Sequence, residues 1–167
     1  MRSFIVIATL AMTVGCVPFP HRGFRTPIIY GTSQGENQPV LSRFRAIAEP
    51  EGDSCDGTHT IEASADSSGF FLICPDPDFQ LFSAIVLAHR EFTWNVCVFH
   101  DDRWQLVHSG RQYTLVDVGP RGFIELTCSI DGDGPACRET EHPSYLVSPL
   151  PQATIERYQC KGVRPAA

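Results

Sequence analysis

Hydrophobic and polar residues alternate with period two through most of the chain, and this predicts strands rather than helices. In THTIEASA, Ile61, Ala63 and Ala65 fall on one side and Thr60, Glu62 and Ser64 on the other. That is the pattern of a strand with one face on a core and one in water. SRFRAIAEP sets Phe44, Ala46 and Ala48 against Arg43, Arg45 and Ile47, a strand buried mainly on one side. FTWNVCVFH puts Phe92, Trp94, Val96 and Val98 together, with Cys97 and Phe99 opposite. FIELTCSI aligns Ile124, Leu126, Cys128 and Ile130. Further strands are predicted in PIIYGTSQ, FSAIVLAH, WQLVHS and QYTLVDV, all rich in aromatic and β-branched residues. FFLIC is a strand closed by Pro75 and Pro77, because proline cannot donate to a ladder.

Breakers punctuate these runs. GENQPV, GDSCDG, DSSG, DDR and GPRG read as turns. About seven short strands at close spacing predict an all-β sandwich or small barrel over residues 28–130. Residues 131–167 are hydrophilic and Pro-rich, so they are expected to be irregular, with at most a helical turn in QATIERYQC.

The first residues carry a different signal. Met1-Arg2-Ser3 is a short basic start, and the apolar run Phe4 to Val14 is too short to span a bilayer but suits the core of a signal peptide. The following TVGC resembles the lipobox of bacterial lipoproteins, with Thr13 where leucine is preferred. That resemblance implies cleavage after residue 15 and lipidation of Cys16. It implies a protein held on the bacterial cell envelope, with Val17 after the cysteine pointing to the outer membrane, facing the periplasm or the exterior. VPFPHRGFRTP, with three prolines, then reads as an extended tether, so residues 16–27 lead from lipid to domain.

Lipidation also resolves an odd cysteine count. Seven cysteines less Cys16 leave Cys55, Cys74, Cys97, Cys128, Cys137 and Cys160, an even set that an oxidising compartment would pair. Six cysteines allow 15 pairings, which sequence does not choose between. One pair is expected to join Cys137 to Cys160, a staple for the Pro-rich C-terminal segment. A zinc site is disfavoured, since no C-x-x-C spacing occurs.

Charge narrows the partners. The net charge is −6 and charged residues make up 19% of the chain, with no basic cluster to follow a phosphate backbone, so nucleic acid is not expected to bind.

A second resemblance lies inside the predicted domain. PIIYGTSQGENQPVLSRFRAIA followed by THTIEASADSSGFF is similar to the carboxypeptidase-regulatory-like domain, through Gly31, Pro39, Val40, Asp66, Gly69 and Phe70. Trp94 and Cys97 match a later Trp-x-x-Cys found in small bacterial lipoproteins of this kind. The resemblance implies a transthyretin-like Greek-key β-sandwich and a non-catalytic accessory or adhesive role. Its turn has a physical basis: Asp66 can cap the turn, Gly69 can take positive φ, and Phe70 or Phe71 returns to the core.

One G-x-S-x-G spacing occurs, Gly31-Thr32-Ser33-Gln34-Gly35, but it runs into the turn GENQPV rather than into the helix that a nucleophile elbow needs. There is no H-E-x-x-H or P-loop. FHDDRW brings His100, Asp101 and Asp102 beside Trp104, the one stretch that invites an enzymatic reading. A turn centred near Asp102 would place His108 opposite Val96, away from His100. SIDGDGPACRETE fails as an EF-hand loop, because Ala136 and His142 occupy the glycine and glutamate positions. Trp94 is expected in the core and Trp104 nearer the surface. These readings imply a non-enzymatic, lipid-anchored envelope module that binds a protein or glycan, with no cofactor and no metal. The alternatives are a small periplasmic hydrolase or metal-dependent enzyme around His100 and Asp102, or an inhibitor of an envelope enzyme.

Overall fold

The structure is a computed structural model. It describes residues 16–17, 21–34, 41–75, 77–80, 83–84, 90–114, 122–131, 134–140, 150, 152–158 and 160. The expected signal peptide of residues 1–15, Pro39 and Val40, all of FSAIVLAH except Ser83 and Ala84, and residues 115–118 of QYTLVDV lie outside them.

The described strands are β1 (Cys16–Val17), β2 (His21–Phe24), β3 (Ile28–Ser33), β4 (Arg43–Ala48), β5 (His59–Ser64) and β6 (Phe70–Ile73). They continue with β7 (Pro77–Gln80), β8 (Ser83–Ala84), β9 (Arg90–His100), β10 (Arg103–Thr114), β11 (Phe123–Asp131) and β12 (Gly134–Thr140), and a short helix, α1 (Gln152–Arg157), follows. Two four-stranded sheets pack into an all-β sandwich: a front sheet β10-β9-β4-β5 and a back sheet β12-β11-β3-β6. The chain leaves the back sheet after β3, makes the β4–β5 hairpin in front, and returns with β6 paired beside β3. This is a Greek-key return spread over two sheets. β3 and β11 run parallel, joined in register from Phe123 opposite Ile28 to Cys128 opposite Ser33.

The alternation read from sequence places the core. Phe44, Ala46, Phe92, Trp94, Val96 and Val98 from the front sheet meet Ile29, Phe71, Ile73, Ile124, Leu126 and Cys128 from the back. Phe44 and Phe71 are fully buried, and their rings stack nearly parallel with centroids 3.7 Å apart. β3 reads as continuous IIYGTS because it is buried on both faces. At Gly31 a Cβ atom would meet the Leu126 carbonyl on the neighbouring parallel strand, 1.9 Å away. Any side chain there would drive β3 and β11 apart.

Three features differ from expectation. β10 is one strand of 12 residues, where the sequence predicts two. Gly110 is tolerated inside it, and a register shift between Leu106 and His108 accommodates Val107 against the core. Residues 131–167 are not irregular throughout. β12 pairs with β11 from Glu125 opposite Thr140 to Asp131 opposite Gly134. Its charged, exposed outer positions hid a strand that, among the described residues, pairs along its inner edge with β11. The stretch read as a free tether is paired as well: β1 lies antiparallel to β8, and β2 to β7.

The disulfides join Cys55 to Cys97, Cys74 to Cys160, and Cys128 to Cys137. The expected Cys137–Cys160 bond is therefore wrong. Cys137 sits directly opposite Cys128 in the β11–β12 ladder, with Cα atoms 4.0 Å apart. Cys160 instead ties the C-terminal segment to the end of β6.

Candidate functional site

The two outer faces of the sandwich are finished differently, and the difference locates the site. Behind, Ile28, Tyr30 and Leu72 form a second apolar cluster with Phe70, Phe123, Leu150, Tyr158 and Cys160. The C-terminal segment thus covers the back sheet, held by Cys74–Cys160. Tyr30, buried there, has its phenol pushed up to about 12 by burial and by the nearby Glu125 carboxylate, whose Oε2 accepts its hydroxyl at 3.3 Å.

The Asp66 turn anchors this cap. Asp66 Oδ1 accepts from the Ser68 amide at 2.9 Å, the Ser68 hydroxyl at 2.6 Å and the Phe70 amide at 3.1 Å. Its Oδ2 accepts the Tyr158 hydroxyl at 3.2 Å. The Ser68 hydroxyl, with the two amides, holds the carboxyl below its ordinary range. Gly69 takes φ 82°, and its carbonyl accepts from the Ser33 amide at 2.8 Å. Asp66 thus caps this turn with its side chain, and Gly69 supplies its positive φ. Phe71 returns to the core, whereas Phe70 turns outward, its ring edge-on to Tyr158 at 5.6 Å.

In front, residues 49–57 form a loop laid on the outer face. Asn95, only 2% exposed, donates from Nδ2 to the Gly52 and Ser54 carbonyls, both at 2.9 Å, and accepts the Ser109 hydroxyl at 2.9 Å. The Cys55–Cys97 bond pins the same loop, and the Glu49 amide donates to the Thr93 carbonyl. A buried polar side chain with every group bonded is a rigid fastening.

This loop divides the front face. On one side Trp104 lies edge-on to Phe99 at 5.4 Å. The Arg45 guanidinium sits 4.0 Å from the Trp104 ring centroid, and that of Arg43 5.3 Å from it. Arg45 also donates to Glu62 at 2.6 Å, to the Cys55 carbonyl at 3.1 Å and to Asp56 at 3.2 Å. The Arg45 hydrogen bond holds the Glu62 carboxyl below its ordinary range. One guanidinium thus links β4, β5, β10 and the loop. On the other side is an open groove of about 400 Å³, lined by Asp53, Glu91, Thr93, Asn95, Ser109 and Arg111 among others. Sequence reasoning missed the groove. No local motif marks it, because its lining converges from the loop, β9 and β10.

His100, Asp101 and Asp102 form the β9–β10 turn. Asp101 and Asp102 both take positive φ, at 50° and 59°, the backbone of a two-residue hairpin turn. His100 Nε2 is 3.4 Å from Asp101 Oδ2. His108 is paired opposite Val96, as the register argument requires, and so is far along the strand from His100. Among the described residues no group of three His, Cys, Asp or Glu side chains gathers to hold a metal ion. Trp94 is buried in the core and Trp104 is half-buried at the surface, as expected. No family model, curated protein or solved structure matches the chain.

Proposed function

We propose that the chain is a non-enzymatic binding module of the bacterial cell envelope, lipid-anchored through Cys16, that presents its front sheet to a protein or glycan partner. The observation that carries this reading is the unequal finish of the two faces. The back sheet has an apolar cap of its own chain. The front sheet keeps an aromatic–arginine patch and a polar groove on a rigid floor, and exposed polar and aromatic groups on a rigid scaffold are what recognition uses.

Three disulfides suit an exported protein. The geometry of the Asp66–Gly69–Phe70 turn supports the likeness to carboxypeptidase-regulatory-like domains and, with it, a non-catalytic role. Pairing of Cys16 with Ala84 would bring a lipid on Cys16 to the end of the β1–β8 ribbon.

The test is photo-cross-linking in intact cells from position 104 or 113 on the front face and position 157 on the cap, beside fractionation of Cys16→Ala. Expected are a discrete adduct from the front positions only and loss of membrane partitioning in Cys16→Ala. Adducts from position 157 alone would refute the face assignment, and a Cys16→Ala protein still on membranes would refute the anchor.

A further inference from the structure

We infer that the front groove is a saccharide site for a neutral oligosaccharide, with Tyr113 as its stacking platform. This inference rests on the binding-module reading and names the ligand class of that same face.

Among the described residues, Tyr113 is the large apolar side chain left most open, at 61% exposure. It is nonetheless not free to swing, because its hydroxyl donates to Glu91 Oε1 at 2.9 Å. Tyr113 and Glu91 are direct partners in the β9–β10 ladder, so they share the outer face, and Glu91 lines the groove. Arg111, two residues before Tyr113, also lines it and comes within 3.9 Å of Glu91 Oε1. The result is a fixed aromatic ring at the edge of a groove whose walls carry carboxylates, a guanidinium and hydroxyls.

That chemistry matches a sugar ring. Each sugar hydroxyl both donates and accepts, so it is satisfied by acceptors such as Asp53 and Glu91 together with donors such as Arg111 and dual groups such as Thr93 and Ser109. The C–H face of the ring packs on an aromatic face with little loss of side-chain freedom when that aromatic is already held. Two carboxylates against one guanidinium, on a chain of net charge −6, disfavour an anionic ligand. A volume of about 400 Å³ is within the range of small-ligand sites. Asn95 leaves its bonding capacity in the floor, so the groove is formed before a ligand arrives. An open groove rather than a closed cavity suits a chain that enters and leaves along the sheet.

The exported full-length protein is tested on a microarray of neutral glucose-, mannose- and N-acetylglucosamine-based oligosaccharides, with sulfated and uronate-bearing counterparts. The best neutral tetrasaccharide is then titrated at low and high salt. Expected are binding to neutral chains, little change with salt, and affinity falling by about tenfold or more in Tyr113→Ala and in Glu91→Gln. Arg138→Ala, on an exposed edge away from the groove, is the control and should bind as the parent does. Absence of neutral-glycan binding, preference for the anionic chains, or an unaffected Tyr113→Ala would overturn the saccharide site. If a front-face cross-linker captures a protein while no saccharide binds, the saccharide inference falls and the binding-module reading stands. If neither occurs, both fall.

Discussion

Tyr158 and Tyr113 are the same residue type on opposite outer faces, each with its hydroxyl on a carboxylate. Tyr158 donates to Asp66 and packs against Phe70 over the back sheet. Tyr113 donates to Glu91 and leaves its ring largely in water. The first is built into a second apolar cluster closed by Cys74–Cys160, and the second stands at the rim of a groove. Among the described residues, the chain covers one sheet with its C-terminal segment and fastens a loop, not a cap, onto the other. A covered face contributes to stability, and an open one is available for recognition.

The comparison breaks most sharply at the disulfide that closes the cap. In Cys74→Ser/Cys160→Ser the released loop of 86 residues should cost about 4 kcal/mol, read from the urea midpoint. Chain entropy alone puts Cys55→Ser/Cys97→Ser, with a separation of 42, within about 1 kcal/mol of that value. The two variants should differ in kind. Opening the cap should return the Tyr30 phenol from about 12 towards its ordinary value in a spectrophotometric titration, because burial is the main cause of its rise. Opening the front loop should leave Tyr30 unchanged and abolish front-face binding. If both variants shift Tyr30 equally, the faces are not independent.

The paired tyrosines give the next effect. Tyr158→Ala should cost about 2 kcal/mol, since it removes a half-buried aromatic and its hydrogen bond. Tyr113→Ala should stay within about 0.5 kcal/mol, as exposed substitutions do. Equal losses in the two would remove the distinction between cap and rim. Asp66→Ala is smaller than Tyr158→Ala. It deletes the acceptor of four hydrogen bonds at an exposed turn, with an expected cost of about 1 kcal/mol by chemical denaturation.

Much of the fold is legible in the sequence for a definite reason. Alternation fixed which side of β4, β5, β9 and β11 meets the core, because a one-residue slip would turn every side chain over. The Asp66–Gly69 turn was readable because a side-chain cap and a positive-φ glycine are local devices. What escaped depends on distant residues. Cys137 and Cys160 look like natural partners along the chain, yet strand pairing gives Cys137 to Cys128 and the cap gives Cys160 to Cys74. β12 escaped because an exposed edge strand needs apolar residues at few positions. The groove escaped for the same reason as the disulfides: Asp53, Glu91 and Arg111 meet only when the loop, β9 and β10 are in place.

The smallest expected effect lies where the two sheets meet at an edge. His108, on β10 at the register shift, is mostly buried, and its Nε2 is 3.4 Å from Glu139 Oε2 on β12 without hydrogen-bond geometry. Burial holds its imidazole below the ordinary value of 6.5, and the Glu139 carboxylate opposes this only in part. The native state therefore resists a proton that the unfolded chain accepts. With more protons bound when unfolded, stability rises with pH. The contribution is intact above 6.5 and is lost as pH falls from there through the lower native value. Urea midpoints measured from neutral pH downward should decline across that window in the parent and flatten in His108→Gln. Glu139→Gln should steepen the decline, since it removes the one charge that eases protonation. An unchanged slope in His108→Gln would show that this seam between the sheets carries none of the acid sensitivity, leaving it to the carboxylates that are held below their ordinary range, Asp66 in the cap and Glu62 on the front face.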